Sequence, residues 1–501
     1  MRWAETKEKL RQHGRDDESQ PSAGDHDLEV SVSMDEDTDA RPPTKKETKR
    51  LLRKIDRNLI PLICVLYLIS VLDRANLGHA RRMGLGDDLH LVGKHDFNIA
   101  KSIFFPFFLI VQIPSNLLLQ RVRPSLWIPS LMIGWSAVTI FLGLVKNLAG
   151  LLALRCLLGI VEGGVFPGFV LYLTKWYQRD EYGYRISLFY SPAILSGSLN
   201  GFLGKAITGI GDMYSWPWVF FIEGIVSLVV SGFAFLLMHD WPCTAKFLKP
   251  AEKQVVLRRL HDDASHLSDR IDAKFVKQAL LDWKIWVHMA MTVGVTVPLY
   301  SMDEFLPVII EDLGYHGNRE LLMALPQQLA AALATIGVGI AADRCRQRGV
   351  FTIGLCVTAM TGFVMLGVSE NHVVKYLACF LVAMGIHPIV PQDVGWNANN
   401  IGGSTKRAVG IAMHFGFGNL GGAVAAFVIR EDNARRFISG HGILFLTTAV
   451  SCMLATFMTW YLRRENARRD RVYKRRELYT TEEMLAESDL GDEATFFRYY
   501  F

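Results

Sequence analysis

Twelve apolar segments constrain this chain more than any other feature of its sequence. Each is about twenty residues long, the length of helix that crosses the hydrocarbon core of a bilayer. They lie at roughly 58–78, 98–119, 126–145, 149–174, 185–207, 217–238, 285–310, 321–341, 350–368, 374–396, 408–429 and 441–462. A bilayer admits only structures that satisfy their own backbone hydrogen bonds. The pattern predicts an all-α polytopic membrane protein with twelve transmembrane helices.

The charged side chains avoid these segments. Of 103 Lys, Arg, Asp and Glu residues, 61 lie in three polar stretches. We therefore predict a cytoplasmic, largely disordered N-terminal tail over 1–57, a six-helix bundle over 58–238, a cytoplasmic middle loop over 239–284, a second six-helix bundle over 285–462 and a cytoplasmic C-terminal tail over 463–501.

The orientation follows from the basic residues, which are retained on the cytoplasmic side of a membrane. Seven flank the first segment, nine lie in the middle loop and eight follow the last segment, whereas the short loops carry ten on each side. Both termini are therefore predicted to be cytoplasmic. A net charge of +5 placed at segment ends does not indicate nucleic-acid binding, and seven scattered cysteines indicate neither a disulfide framework nor a metal site.

Four ionisable residues within the apolar segments are the main candidates for function. Asp73 and Arg74 lie near the end of the first segment, and Arg155 and Glu162 lie within the fourth. Burying such a residue costs at least ~2.5–3.5 kcal/mol, so it usually pairs or lines a water-filled cavity. The seven-residue spacing puts Arg155 and Glu162 on one face of a helix.

Two interpretations of this cluster are open. Arginines in a central cavity suit an organic anion, and a buried carboxyl group can carry a proton. Alternatively, the charges form a salt bridge that only joins the first helix to the fourth. Asp73 is also close enough to its helix end to be an interfacial residue.

Further polar residues are predicted to line a cavity, each with a structural alternative. The Tyr190 hydroxyl can bond a carboxylate or simply pack. Asn397 and Asn419 can contact substrate or bond backbone at a bend. His387 is expected to be a packed, hydrogen-bonded residue, and no role is assigned to Asp393. Pro167 and Pro192 are expected to bend the fourth and fifth helices, and glycine pairs such as Gly159 and Gly163 to permit close helix packing.

A loop between the eighth and ninth segments carries the sequence GIAADRCRQRG. Gly339 would allow a close helix crossing, Asp343 would cap a neighbouring helix or pair with basic residues, and Arg344 would stay cytoplasmic. Asn116 and Gln120 repeat the spacing of Gly339 and Asp343 six segments earlier, as two related halves would. Lys406 and Arg407 are predicted to mark the cytoplasmic end of the eleventh helix, where gating contacts form.

The GIAADRCRQRG segment resembles the loop motif of the major facilitator superfamily, and the chain resembles its fungal anion:cation symporter group. The matching stretches are LLRKIDRNLIPLICVLYLISVLDRANLGHAR, QIPSNLLLQRVRPSLWIPS, RCLLGIVEGGVFPGFVLYLTKWY, RISLFY, WVFFIEG, NANNIGGSTKRAVG, FGFGNLGG and LGDEATFFRYYF. The resemblance implies two six-helix bundles around a central cavity and the transport of small organic anions with protons. It implies that Asp73 and Glu162 are the protonatable acids, and that Arg74 and Arg155 pair with them or with a substrate carboxylate.

The chain also departs from this resemblance. Gln120 and Asn116 replace an acid and a glycine in the first-half loop, and Pro217 stands where an arginine is usual. We predict a proton-coupled symporter of a small carboxylate, monomeric, without cofactor or metal, in the plasma membrane. An exporter or antiporter and a transport-dead nutrient receptor are the alternatives, and the absence of HExxH, GxSxG and Walker motifs disfavours an enzyme.

Overall fold

The computed structural model describes residues 44–91, 93, 95–208, 216–264, 267–428 and 438–501, so most of the predicted disordered tail lies outside it. Its membrane-crossing segments are α1 (Lys45–Arg82), α2 (Phe104–Arg121), α3 (Pro124–Leu142), α4 (Leu148–Glu162, continued by Val165–Thr174), α5 (Tyr182–Tyr190 and Ser196–Thr208), α6 (Pro217–Leu237), α7 (Trp283–Asp312), α8 (Asn318–Cys345), α9 (Gly349–Val368), α10 (His372–Asn400), α11 (Ser404–Val428) and α12 (Ile438–Val472). The described residues contain no strand. The predicted all-helical fold is confirmed.

Prolines interrupt α4 and α5 as predicted. Pro192 lies in a 3₁₀ turn, Ser191–Leu195, that divides α5 into pieces of 9 and 13 residues. Eleven helices in the described chain are long and apolar enough to cross a membrane, and α5 is not among them because of this division. Pro167 follows the break in α4. A proline has no backbone N–H to donate to the carbonyl oxygen of Gly163, four residues earlier, and its ring crowds that carbonyl group. Glu162 is the last residue before this break.

Two helices extend beyond the predicted apolar segments, and the predicted middle loop contains helices of its own. Helix α1 begins at Lys45 rather than at residue 58, so the basic run is helical. Lysine and arginine favour helix, and an established membrane helix is readily extended through them. The middle loop contains the helices Pro250–Ala264 and Ala273–Leu281, and α12 continues to Val472.

Residues 49–501 form one compact unit. In its first half α3 packs against α6, and α2 packs against α4. In its second half α7 packs against α11, and α9 packs against α10 and α12. The halves meet where α2 contacts α11 and where α5 contacts α8 and α10. The two candidate sites described below lie on either side of this contact.

The predicted glycine packing brings α4 against α2. A Cβ atom at Gly159 would lie 2.5 Å from the carbonyl oxygen of Phe104, and one at Gly163 would lie 2.6 Å from that of Phe108. Only glycine allows the two backbones to approach so closely. The approach places Glu162, between these glycines, next to the polar face of α1.

Candidate functional site

The buried charges of the first half form an ion pair, but not between the residues that share α4. Arg74 of α1 pairs with Glu162 through its Nε atom. Ser70, one turn earlier on α1, donates a hydrogen bond of 2.8 Å to the same carboxylate oxygen. Glu162 is fully buried, and the Arg74 side chain is 15% exposed. The contact joins α1 to α4, as the structural alternative required.

Arg155 stands apart from this pair. Its Nε donates to the carbonyl oxygen of Ala100 at 3.3 Å, and its guanidinium lies 5.1 Å from the centre of the Phe104 ring. Among the described residues, no hydrogen-bond acceptor reaches its two terminal nitrogens. A guanidinium with its paired nitrogens unoccupied can bind a carboxylate through two parallel hydrogen bonds.

Aromatic rings surround the two arginines. Arg74 lies 4.8 Å from the centre of the Phe108 ring. Phe166 of α4 stacks on Phe415 of α11 with ring centres 3.8 Å apart, which brings the two halves into contact beside the arginines. These rings are themselves buried and exclude water from the charges.

Asp73 is buried rather than interfacial, and it points away from Arg74. It accepts hydrogen bonds from Trp135 Nε1 at 2.8 Å and from Ser227 Oγ at 2.9 Å. The carboxyl group of Glu223, on α6, faces it at hydrogen-bonding distance. Two carboxyl groups in contact share a proton, because like charges this close cannot both persist.

Sequence reasoning missed Glu223, although it is the only charged residue in its apolar segment. Glu223 could have been identified by treating every acidic residue within an apolar segment as a candidate.

The other residues predicted to line a cavity differ in their contacts. Tyr190 is buried 5.9 Å from Tyr67, measured between ring centres. Asn419 bonds the backbone of its own helix and accepts from the Tyr300 hydroxyl at 2.7 Å. Asn397 is bonded to the carbonyl of Gly410 at 3.4 Å.

Asn397 therefore has the backbone role that was its alternative. His387 does not have the expected hydrogen bonds: its Nδ1 has no partner in the described chain, and its side chain lines a small cavity with Gln327 and Gln328.

The predicted loop motif contacts the beginning of α5 in the first half. A Cβ at Gly339 would lie 2.6 Å from Ser187 Oγ, so the glycine permits the predicted crossing with α5. Asp343 accepts from the Tyr184 backbone N–H at 2.6 Å and caps α5. Its basic partner is the buried Arg348, at 2.7 Å. Arg344 is exposed.

Lys406 belongs to a buried ion cluster that the sequence did not predict. The tail ion cluster consists of Asp282, Lys284, Lys406 and Asp492, with Lys406 at 2.5 Å and Lys284 at 2.8 Å from Asp492. Burial alone would raise the pKa of the Asp492 carboxyl, but the two lysines hold it well below its usual range. Arg407 instead donates to the carbonyl of Ile401 at 3.1 Å.

The chain around Asp492 is held along its length. Arg469 Nη1 donates to the carbonyl oxygens of Asp492, Ala494 and Phe497 at 2.9–3.1 Å. The backbone of Tyr500 exchanges two hydrogen bonds with the Asn400 amide, of 2.7 and 2.8 Å. The segment 489–501 thus closes over the beginnings of α7 and α11 and the ends of α10 and α12.

One residue of the first half also reaches this segment. Arg179, between α4 and α5, donates to the carbonyl of Asn399 at 3.1 Å and lies 4.8 Å from the centre of the Phe497 ring. Both halves therefore contact segment 489–501.

Comparison with known proteins gives concordant matches. A sequence profile of the Major Facilitator Superfamily matches residues 63–426. A transporter of Schizosaccharomyces pombe is 32% identical over 443 residues, which cover 87% of this chain and 91% of that protein. The high-affinity nicotinic acid transporter of Saccharomyces cerevisiae is 28% identical over 449 residues, covering 89% of this chain and 84% of that protein.

Two solved structures share the fold. A bacterial homologue of the human lysosomal transporter Spinster matches with a TM-score of 0.54 at 14% identity, covering 83% of this chain and 97% of its own. The human organic anion transporter TETRAN matches with a TM-score of 0.54 at 12% identity, covering 79% of this chain and 99% of its own. At this identity the similarity concerns the fold alone.

Proposed function

The chain belongs to the major facilitator superfamily of membrane transporters, and from that premise we propose that it moves a small organic anion, a carboxylate, together with protons. Transport would proceed by alternating access, with the two halves opening in turn to either side. We place the protein in the plasma membrane because it resembles the fungal anion:cation symporter group. The distribution of basic residues supports both termini being cytoplasmic.

The charge balance around Arg155 is the observation that carries the proposal. Arg74 and Arg155 contribute two positive charges, and Glu162 contributes one negative charge. Burying an uncompensated guanidinium is costly, so this part of the site favours one further negative charge. Because the terminal nitrogens of Arg155 lack protein partners among the described residues, a substrate carboxylate would supply that charge.

The neighbouring acids supply a route for coupling. A substrate carboxylate near Arg155 also attracts Arg74, which would weaken the contact between Arg74 and Glu162. Glu162 would then take up a proton, since a buried carboxylate without its cation is unfavourable. Asp73 shares a proton with Glu223 in the same half and provides a second exchangeable site. Substrate and proton binding would thereby favour each other.

The chemical character of the substrate is argued from the aromatic surroundings. Phe104, Phe108 and the Phe166–Phe415 stack surround the arginines with apolar rings. A small aromatic or planar carboxylate matches both features. Because one relative is the high-affinity nicotinic acid transporter of Saccharomyces cerevisiae, nicotinate is the first probe.

Uptake into cells that lack their own carboxylate transporters tests this function. Labelled nicotinate, a ureide acid and a sugar acid are offered at external pH 5 and pH 7.5. We expect one of them to accumulate, faster at pH 5. Arg155→Lys should raise the half-saturating concentration at least tenfold, because lysine lacks the two-pronged geometry of the guanidinium.

The matched control is Lys146→Gln, which changes an exposed cation in the loop before α4 and should leave uptake unchanged. No accumulation of any carboxylate, or an Arg155→Lys variant with unchanged saturation, would overturn the proposal. Efflux of preloaded carboxylate against its gradient would instead favour the exporter alternative.

A further inference from the structure

A second group of titratable side chains lies buried in the other half of the molecule. Asp393 of α10 contacts His288 of α7, with 2.6 Å between Oδ1 and Nδ1, and His414 of α11, with 3.1 Å between Oδ2 and Nε2. Thr292 of α7 lies 2.5 Å from Asp393 Oδ2 and 2.6 Å from His414 Nε2. Asp393 and His414 are fully buried, and His288 and Thr292 are almost so.

The donor and acceptor roles of these side chains determine which atoms carry hydrogen. If the carboxylate is ionised, it can only accept, so His288 Nδ1–H and the Thr292 hydroxyl both donate to it. Thr292 has then used its single proton, and His414 Nε2–H must donate to Thr292 and to Asp393. Both imidazoles consequently present their other nitrogen as an acceptor. His288 Nε2 and His414 Nδ1 are buried and have no partner among the described residues.

The charge of this arrangement is incomplete without another proton. Two neutral imidazoles, a threonine and an ionised aspartate carry a net charge of −1. A single buried charge of this kind is unfavourable unless it is paired. Adding one proton, at either vacant imidazole nitrogen, converts the group into an ion pair with no net charge.

The elements packed against the group supply no alternative counter-charge among the described residues. From α9, Cys356 faces Asp393, and its own neighbour is Cys452 of α12. Trp396 of α10 lies edge-on to His288, with ring centres 5.0 Å apart. Lys284 precedes His288 by about one turn of α7, but it pairs with Asp282 and Asp492.

A bound metal ion does not explain the arrangement. Two ligands at about 2.1 Å from one ion are normally more than ~3 Å from each other. Here the nearest donor atoms are in direct contact at 2.5–2.6 Å. The spacing is that of hydrogen bonds, with hydrogen between the atoms.

We infer that His288, Asp393 and His414 form a second proton-binding site, which holds one exchangeable proton in the half of the molecule opposite to Glu162. Proton binding at this site stands on its own geometry, whereas its use in transport rests on the proposed function.

The position of this proton-binding site suits a role in transport. His414 precedes Phe415, the residue of α11 that stacks on Phe166 of α4. A change of charge at His414 therefore occurs one residue from a contact between the two halves.

Histidine nitrogen NMR tests proton binding without any substrate. The full chain is labelled with ¹⁵N-histidine and placed in lipid nanodiscs. We expect a doubly protonated imidazole signal at pH 7.5, where a free histidine, with a pKa of about 6.5, is roughly 90% neutral. Asp393→Asn should remove the signal, as should His288→Gln combined with His414→Gln. The control His441→Gln changes another buried histidine of this half and should retain it.

Absence of that signal in the wild-type protein would overturn the inference, and that measurement needs no variant to fold. Persistence of the signal in folded Asp393→Asn would also overturn it. For the role in transport, proteoliposomes are assayed for accumulation of labelled nicotinate driven by a pH gradient. If the wild-type protein does not accumulate nicotinate, nicotinate as the substrate fails. If it does, and folded Asp393→Asn accumulates nicotinate equally well, the coupling role fails, while the NMR result decides whether the proton site exists.

Discussion

Replacing Asp492 by asparagine should release segment 489–501 without unfolding the helices. The substitution leaves the buried lysines 284 and 406 with one carboxylate, that of Asp282, at 3.2 and 2.7 Å. Breaking a buried ion pair costs about 3–5 kcal/mol, and we take the lower end because Asp282 still contacts both lysines. About 3 kcal/mol corresponds to a rise of roughly a hundredfold in the undocked population.

Amide hydrogen exchange measures that population. The Tyr499 and Tyr500 amides are bonded to the side chains of Asn466 and Asn400, and they exchange only when the segment opens. We expect their exchange in Asp492→Asn to be roughly a hundredfold faster than in the wild type. The control is Asp489→Asn, because the exposed Asp489–Lys274 pair is worth at most about 1 kcal/mol, or roughly fivefold. Exchange in Asp492→Asn within threefold of wild type would refute the reasoning.

Four further predictions follow from the same structure. Protection of Tyr500 should be equal at pH 5.5 and pH 7.5, because a carboxyl whose pKa is depressed keeps its stabilising charge until the pH falls below the usual aspartate range; a loss at pH 5.5 would contradict this. Glu162→Gln should abolish pH-driven accumulation of carboxylate but allow exchange in proteoliposomes, since a permanently neutral carrier still reorients with substrate bound; retained accumulation is the contrary result. Asp343→Asn should slow exchange several-fold with little change in substrate affinity, because its contacts, Tyr184 and Arg348, lie at the cytoplasmic ends of the helices; weakened binding at a normal exchange rate would argue against it. Cys345 is exposed beside this motif, so a membrane-impermeant maleimide should label it in inside-out vesicles and not in intact cells, and Cys345→Ser should remove that labelling; labelling of Cys345 from outside would reverse the predicted topology.

The helices could be predicted from sequence because their cause is local. An apolar run of sufficient length inserts as a helix whatever its neighbours are, and proline interrupts it by chemistry within one turn. For this reason the twelve segments and the breaks near Pro167 and Pro192 were predictable. The ends of α1 and α12 were not, since polarity marks where the bilayer stops and not where a helix stops.

Ion partners could not be predicted in the same way. The spacing of Arg155 and Glu162 fixes their common face but not the rotation of α4 against α1, which gives Glu162 to Arg74. His288, Asp393 and His414 lie on three helices, and no local pattern connects them. Asp492 meets its lysines only after the chain has returned across the membrane, so its role depends on tertiary structure.

The docking of segment 489–501 also has a consequence for the order of biosynthesis. These residues leave the ribosome after α1 to α12 have been made. Until then, Lys284 and Lys406 share a single carboxylate, and the newly made helices carry an uncompensated positive charge at the ends that these lysines occupy. Arrival of Asp492 neutralises that charge. A chain cut short before residue 492 would keep it permanently, which gives the cell a physical difference between finished and unfinished molecules.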